Sequence, residues 1–205
     1  MRIPAGRVQL EGDLHVAPGS RGVIVFAHGS GSSRLSPRNR QVAEYLRSTG
    51  VFGTLLFDLL TPEEDRDYET RFDIGLLARR LDAATTWLQE TMAPSTPAIG
   101  LFGASTGAAA ALVAAAERDD IAAVVSRGGR PDLADAALGA VRAPTLLIVG
   151  GADTQVLARN ESAMARMPGV VELAVVPGAG HLFEEPSALD EASRLTMEWF
   201  ERHVK

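Results

Sequence analysis

Gly100-Leu101-Phe102-Gly103-Ala104-Ser105-Thr106-Gly107 is an apolar run that breaks into small residues around a serine and passes, without a linker, into a stretch of alanines. That is the layout of a nucleophile elbow, G-x-S-x-G, in which a serine on a sharp strand-to-helix turn lifts its hydroxyl above the sheet. The requirement is steric. A strained backbone at the serine tolerates only neighbours without bulk, and the helix must pack close against the strand it has left. Gly103, Ala104, Gly107 and Ala108 leave that room around Ser105.

Outward from the elbow the chain alternates strand and helix. Upstream, Arg7 to Val16 alternates apolar and polar side chains and reads as one bent strand or a short hairpin at a sheet edge. Gly22 to Ala27 is a continuous apolar run, as expected of a strand buried on both faces. It leads into His28-Gly29-Ser30-Gly31-Ser32-Ser33. The spacing there matches neither a dinucleotide fingerprint nor a Walker loop, whereas a loop that turns a backbone N–H toward an oxyanion fits. His28 is expected to hold this loop by a hydrogen bond. Ser36-Pro37 opens a helix to about Ser48, with Val42, Tyr45 and Leu46 facing inward. Val51 to Phe57 is the next buried strand, and Asp58 at its carboxyl end is a candidate for lining a substrate site, with a structural bond to nearby backbone as the alternative. Leu59 to Phe72 reads as an exposed loop whose acidic residues form a solvated face. Ile74, Leu77, Leu81, Ala84 and Leu88 carry the spacing of an amphipathic helix from Asp73 to Glu90. Pro94 and Pro97 frame the return to the elbow strand.

Downstream, Ala108 to Ala116 is apolar all round, which predicts a helix buried in the middle of the domain. Ile121 to Val125 is a strand, and the loop after it carries Arg127 and Arg130. Either arginine is a candidate for binding a substrate carboxylate or phosphate; a salt bridge to Asp132, Asp135 or Asp58 is the competing reading. A buried strand from Ala143 ends in Gly150-Gly151-Ala152-Asp153, and Gln155 to Met167 is helical. Val170 to Val176 is the last strand and runs into Pro177-Gly178-Ala179-Gly180-His181. A helix from about Ser187 to His203 closes the chain, with Ser187 and Asp190 spaced as a capping box.

Strands joined by helical crossovers are parallel, so their carboxyl ends lie on one edge of the sheet. Ser105, Asp153 and His181 each follow a different strand and so converge on that edge, in the chain order that accompanies this elbow. The chemistry needs these residue types. A serine hydroxyl is a poor nucleophile until a base takes its proton, and a neutral imidazole does this near pH 7. Asp153 would fix the tautomer of His181 and stabilise the imidazolium, with Asp58 as a competing acid. The backbone N–H groups of Thr106 and of Ser30, or its neighbour Gly31, would hold the oxyanion.

The chain has 205 residues, read as one α/β domain over 1–205. A net charge of -6 without a basic stripe argues against a nucleic-acid partner. The absence of cysteine excludes disulfides, thiolate catalysis and cysteine zinc sites. The acidic residues show no metal-ligand spacing, and no cofactor is expected. Met1 to Gly12 lacks the apolar core of a signal peptide and no run is long enough to span a membrane, so a cytoplasmic protein with no membrane partner is expected. The oligomeric state is left open.

Four motifs together resemble the α/β-hydrolase superfamily, and within it the compact dienelactone hydrolase-like proteins: Phe26 to Ser33, Phe102 to Gly107, Leu147 to Asp153 and Pro177 to His181. The resemblance implies a mostly parallel sheet of about eight strands flanked by helices, with triad roles for Ser105, Asp153 and His181. True dienelactone hydrolases carry a cysteine nucleophile where this chain has Ser105. No long insertion separates Val125 from Pro144, where lipases of the superfamily usually carry a lid, so an open site without a large lid is expected. The expected activity is serine-dependent hydrolysis of a small ester or lactone. Acyl transfer or thioester cleavage by the same residues, and a binding protein without turnover, are the alternatives.

Overall fold

A computed structural model describes residues 1–93 and 97–205. Its strands are β1 (Arg2–Ala5), β2 (Val8–His15), β3 (Gly22–Ala27), β4 (Phe52–Phe57), β5 (Ala98–Ala104), β6 (Ile121–Arg127), β7 (Thr145–Gly150) and β8 (Val171–Val176). Its helices are α1 (Pro37–Ser48), α2 (Ile74–Met92), α3 (Thr106–Glu117), α4 (Thr154–Met164) and α5 (Ala188–His203). Pro94, expected to frame the turn before β5, lies outside the described residues.

The strands form one 8-stranded sheet in the order β1-β2-β4-β3-β5-β6-β7-β8. From β4 through β8 every pairing is parallel, because a helix or long crossover joins each pair; only β1–β2 and β2–β4 are antiparallel. β3, β4 and β7 are buried along their whole length, which accounts for their unbroken apolar runs. One apolar layer lies between the sheet and α2–α3, and another between the sheet and α1–α5. The alanines of α3 let that helix approach the sheet centre: Ala108 to Ala111 are all 0% exposed.

Four expectations are corrected. The N-terminal segment is a true hairpin turning at Gly6, whose φ of 68° suits glycine, and its first strand lies upstream of Arg7. Pro4 breaks the strand signal there, and β1 tolerates it because it is an edge strand. Tyr45 points outward at 40% exposed, while Asn39, Val42, Ala43 and Leu46 form the inner face of α1. The acidic loop is more than a solvated face. It makes short turns at Glu64–Arg66 and Thr70–Phe72, with Glu64 bonded to the buried Arg80 at 2.8 Å and Asp65 to Arg71 at 3.0 Å. Arg80 sits on the inner side of α2 and needs that carboxylate together with the Ala5 carbonyl. Finally, Ser187 makes no capping bond; it sits in the left-handed region at φ 63°.

Candidate active site

The elbow is built as the small residues require. Ser105 occupies φ 52°, ψ -120°, a conformation that costs free energy and persists only where the surroundings fix it. Its N–H donates to the Arg127 carbonyl at 3.2 Å, and its carbonyl accepts from Arg130 N–H at 3.2 Å and Ala108 N–H at 3.1 Å. A Cβ on Gly107 would fall within the carbonyl oxygens of Ala27 and His28, and one on Gly103 would strike the Ala108 backbone. The turn therefore needs glycine on both sides.

Asp153 follows β7 and caps α4, accepting from Val156 N–H at 3.4 Å. Its other oxygen lies 2.7 Å from His181 Nδ1, and His181 Nε2 lies 3.3 Å from Ser105 Oγ. In the tautomer with its proton on Nδ1, the imidazole donates to Asp153 and accepts from the serine hydroxyl. The structure thus brings Ser105, His181 and Asp153 into one hydrogen-bonded chain, at the edge where the strand ends meet.

The glycine-serine loop after β3 comes to the same place. His28 is buried; its Nε2 accepts from Leu59 N–H at 3.0 Å and its Nδ1 donates to the Gly29 carbonyl at 2.9 Å. Burial lowers its pKa, so it is a neutral brace for the loop. Thr106 N–H is the first donor of α3 and has no intrahelical acceptor. Ser30 N–H reaches the same helix start but donates to Thr106 Oγ1 at 2.7 Å, so in the resting site the threonine hydroxyl engages this expected oxyanion donor.

The remaining candidates separate. Asp58 accepts from Arg34 N–H and from Arg34 Nη1, both at 2.7 Å, and so fixes the end of the glycine-serine loop instead of facing the cavity. Arg130 forms a fork with Asp132 at 2.8 and 2.7 Å, which raises the arginine pKa and lowers that of the carboxyl. Arg127 ends β6 and turns into a cavity of about 270 Å³ shared with Ser105 and His181. Three residues of α1 and its cap also line this cavity: Ser36, which the sequence marks only as a helix start, and Arg38 and Asn39, which no motif marks. The available signal was Asn39, a polar residue in register with the buried Val42, Ala43 and Leu46. Phe183, at φ 56° and 2% exposed, also went unread; its ring lies 5.7 Å from the Arg127 guanidinium. Among the described residues there is no cluster of three or more His, Cys, Asp or Glu side chains placed to hold a metal ion, and no helix is long and apolar enough to cross a membrane.

An open parallel sheet, a serine elbow at its centre and an imidazole and carboxylate delivered by later strand ends define the α/β-hydrolase class. The chain belongs to the dienelactone hydrolase family, whose profile matches residues 21–204. A crystal structure of a dienelactone hydrolase from Anabaena variabilis is 54% identical, with a TM-score of 0.94, covering 100% of this chain and 97% of that one. Est1E from Butyrivibrio proteoclasticus shares the fold at 16% identity, with a TM-score of 0.82 over 98% of this chain and 97% of its own. Two Mycobacterium tuberculosis proteins named "Putative phosphoribosyl transferase" are 57% identical over 100% of this chain and 46% of their own length. The chain therefore spans about half the length of those curated relatives.

Proposed function

We propose that the protein is a serine hydrolase of carboxylic esters or lactones. Ser105 attacks the carbonyl, His181 takes its proton and later returns it to the leaving group, and Asp153 holds the imidazole and offsets its developing charge. The observation that carries this reading is the position of His181, 2.7 Å from Asp153 and 3.3 Å from Ser105. The serine distance suits a resting site, where such bonds are often longer than in the reacting complex. The oxyanion is held by Thr106 N–H and by Ser30 N–H, the latter released from the Thr106 hydroxyl as negative charge develops. The name carried by the curated relatives refers to proteins more than twice as long; the chemistry proposed for this chain comes from its own residues.

The test is a panel of short-chain nitrophenyl esters, lactones and thioesters assayed with wild type and Ser105→Ala. Turnover of an oxygen ester that disappears in the folded variant supports the reading, and turnover that survives it refutes it. Product analysis with an added alcohol separates hydrolysis from acyl transfer.

A further inference from the structure

Among the described residues, Arg127 differs from the other well-buried arginines. Arg34, Arg71, Arg80, Arg118 and Arg130 each meet a carboxylate. Arg127 is buried at 7% exposed and forms no salt bridge among the described residues, the charge acting on it being that of Arg38. Its Nη2 donates to Asn39 Oδ1 at 3.1 Å, while Nε and Nη1 have no acceptor among the described residues. The rings of Phe102 and Phe183 flank the guanidinium at 5.9 and 5.7 Å, a contribution smaller than the cost of burying a cation without a counter-ion. Burial, and secondarily the charge of Arg38, push its pKa down to about 10, which still leaves it charged at neutral pH.

We propose that Arg127 is the centre of a subsite for a phosphate dianion carried by the substrate. The donors that converge on the cavity match three oxygens and nearly two charges better than a single carboxylate. Arg127 lines the cavity with a guanidinium whose buried Nε and Nη1, three N–H bonds between them, lack partners, Arg38 adds a second guanidinium, and Ser32 and Ser36 supply hydroxyls. Ser36 also caps α1, so the positive end of a 12-residue helix opens onto the same space. Among the described residues no acidic side chain lines the cavity; Glu184 lies outside it, 3.2 Å from Arg38. Phe183 acts as a positioning residue, its left-handed backbone turning the ring against the arginine.

This subsite rests on the proposed nucleophile only in making its occupant part of the substrate; anion binding stands apart from Ser105 chemistry. The test uses the full chain. Binding of inorganic phosphate, phenyl phosphate and benzoate to Ser105→Ala is measured by calorimetry, and each is tried as a competitive inhibitor of nitrophenyl acetate hydrolysis by wild type. Both phosphates are expected to bind and compete, with benzoate at least about tenfold weaker than phenyl phosphate. Arg127→Met should weaken phenyl phosphate binding roughly tenfold to a hundredfold, the loss of a charge-assisted hydrogen-bonding group. Arg38→Gln, at a side chain 35% exposed whose ion pair with Glu184 is itself solvent-facing, should weaken it about twofold to fivefold. Benzoate binding as tightly as phenyl phosphate, phosphate binding without competition, or affinity unchanged in Arg127→Met or, should that variant not fold, in Arg38→Gln would overturn the assignment. Nitrophenyl acetate turnover that survives Ser105→Ala while phosphate still binds would sink the hydrolase reading and leave the anion site standing.

Discussion

Thr106→Val isolates the role of the one hydroxyl that competes for an oxyanion donor. Valine keeps the branched shape of the side chain and removes the oxygen that now accepts Ser30 N–H at 2.7 Å. Thr106 itself is 2% exposed, but Ser30 is exposed, so water can take over its amide. The stability loss is then that of one ordinary hydrogen bond, about 0.5–1.5 kcal/mol. For a chain of this length that lowers Tm by about 1–6 °C, readable by circular dichroism. Catalysis should behave differently. With the rival acceptor gone, Ser30 N–H is free for the oxyanion, and kcat for a nitrophenyl ester should stay within about threefold of wild type, far from the hundredfold to thousandfold typical of losing an oxyanion donor. A hundredfold fall in kcat in a well-folded variant would mean that the hydroxyl itself holds the charge and that Ser30 N–H does not.

Asp153→Asn should lower kcat roughly ten-thousandfold, by favouring the wrong imidazole tautomer, while leaving the melting temperature near that of wild type; steady-state ester kinetics with a parallel melt check both. Gly107→Ala forces a methyl against the carbonyls of Ala27 and His28 and should cost about 1–3 kcal/mol or more in urea unfolding, with activity falling alongside as the glycine-serine loop shifts. Ser187→Gly removes a side chain from φ 63° and should raise Tm by a degree or two, since the serine makes no capping bond to lose. Asp120 is held at a pKa of about 2, first by its hydrogen bond from Arg118. A carboxyl depressed in the folded state stabilises above its ordinary pKa of 3.8, and that stabilisation is lost as pH falls toward about 2. Arg118→Gln should therefore flatten the fall of stability across that acid window, measured by urea unfolding at a series of pH values.

The fold was legible wherever burial on both faces left a continuous apolar run. β3, β4, β5 and β7 announced themselves in this way, and the elbow glycines marked the point where α3 had to come close. Small residues after β5, β7 and the half-exposed β8 pointed to Ser105, Asp153 and His181, because parallel topology brings strand ends together whatever their distance along the chain. The misses have the opposite character. β1 was hidden by Pro4, which only its edge position makes tolerable. The cavity wall from α1, and the Phe183 ring that packs on Arg127, depend on how a helix start and a loop in the left-handed region meet on one face of the sheet. No local pattern encodes that meeting. Arg127 and Arg130 looked alike in sequence, three residues apart; the partner that distinguishes them, Asp132, is chosen by side-chain geometry.

Ser105, in this mechanism, is a nucleophile activated through His181. The most direct measurement of that activation is mass spectrometry after exposure to a fluorophosphonate, which bonds covalently to an activated serine. A single adduct is expected, mapped to the peptide holding Ser105, absent from Ser105→Ala and formed far more slowly in His181→Ala. A folded wild-type protein that stays unlabelled, or an adduct on another residue, would contradict it.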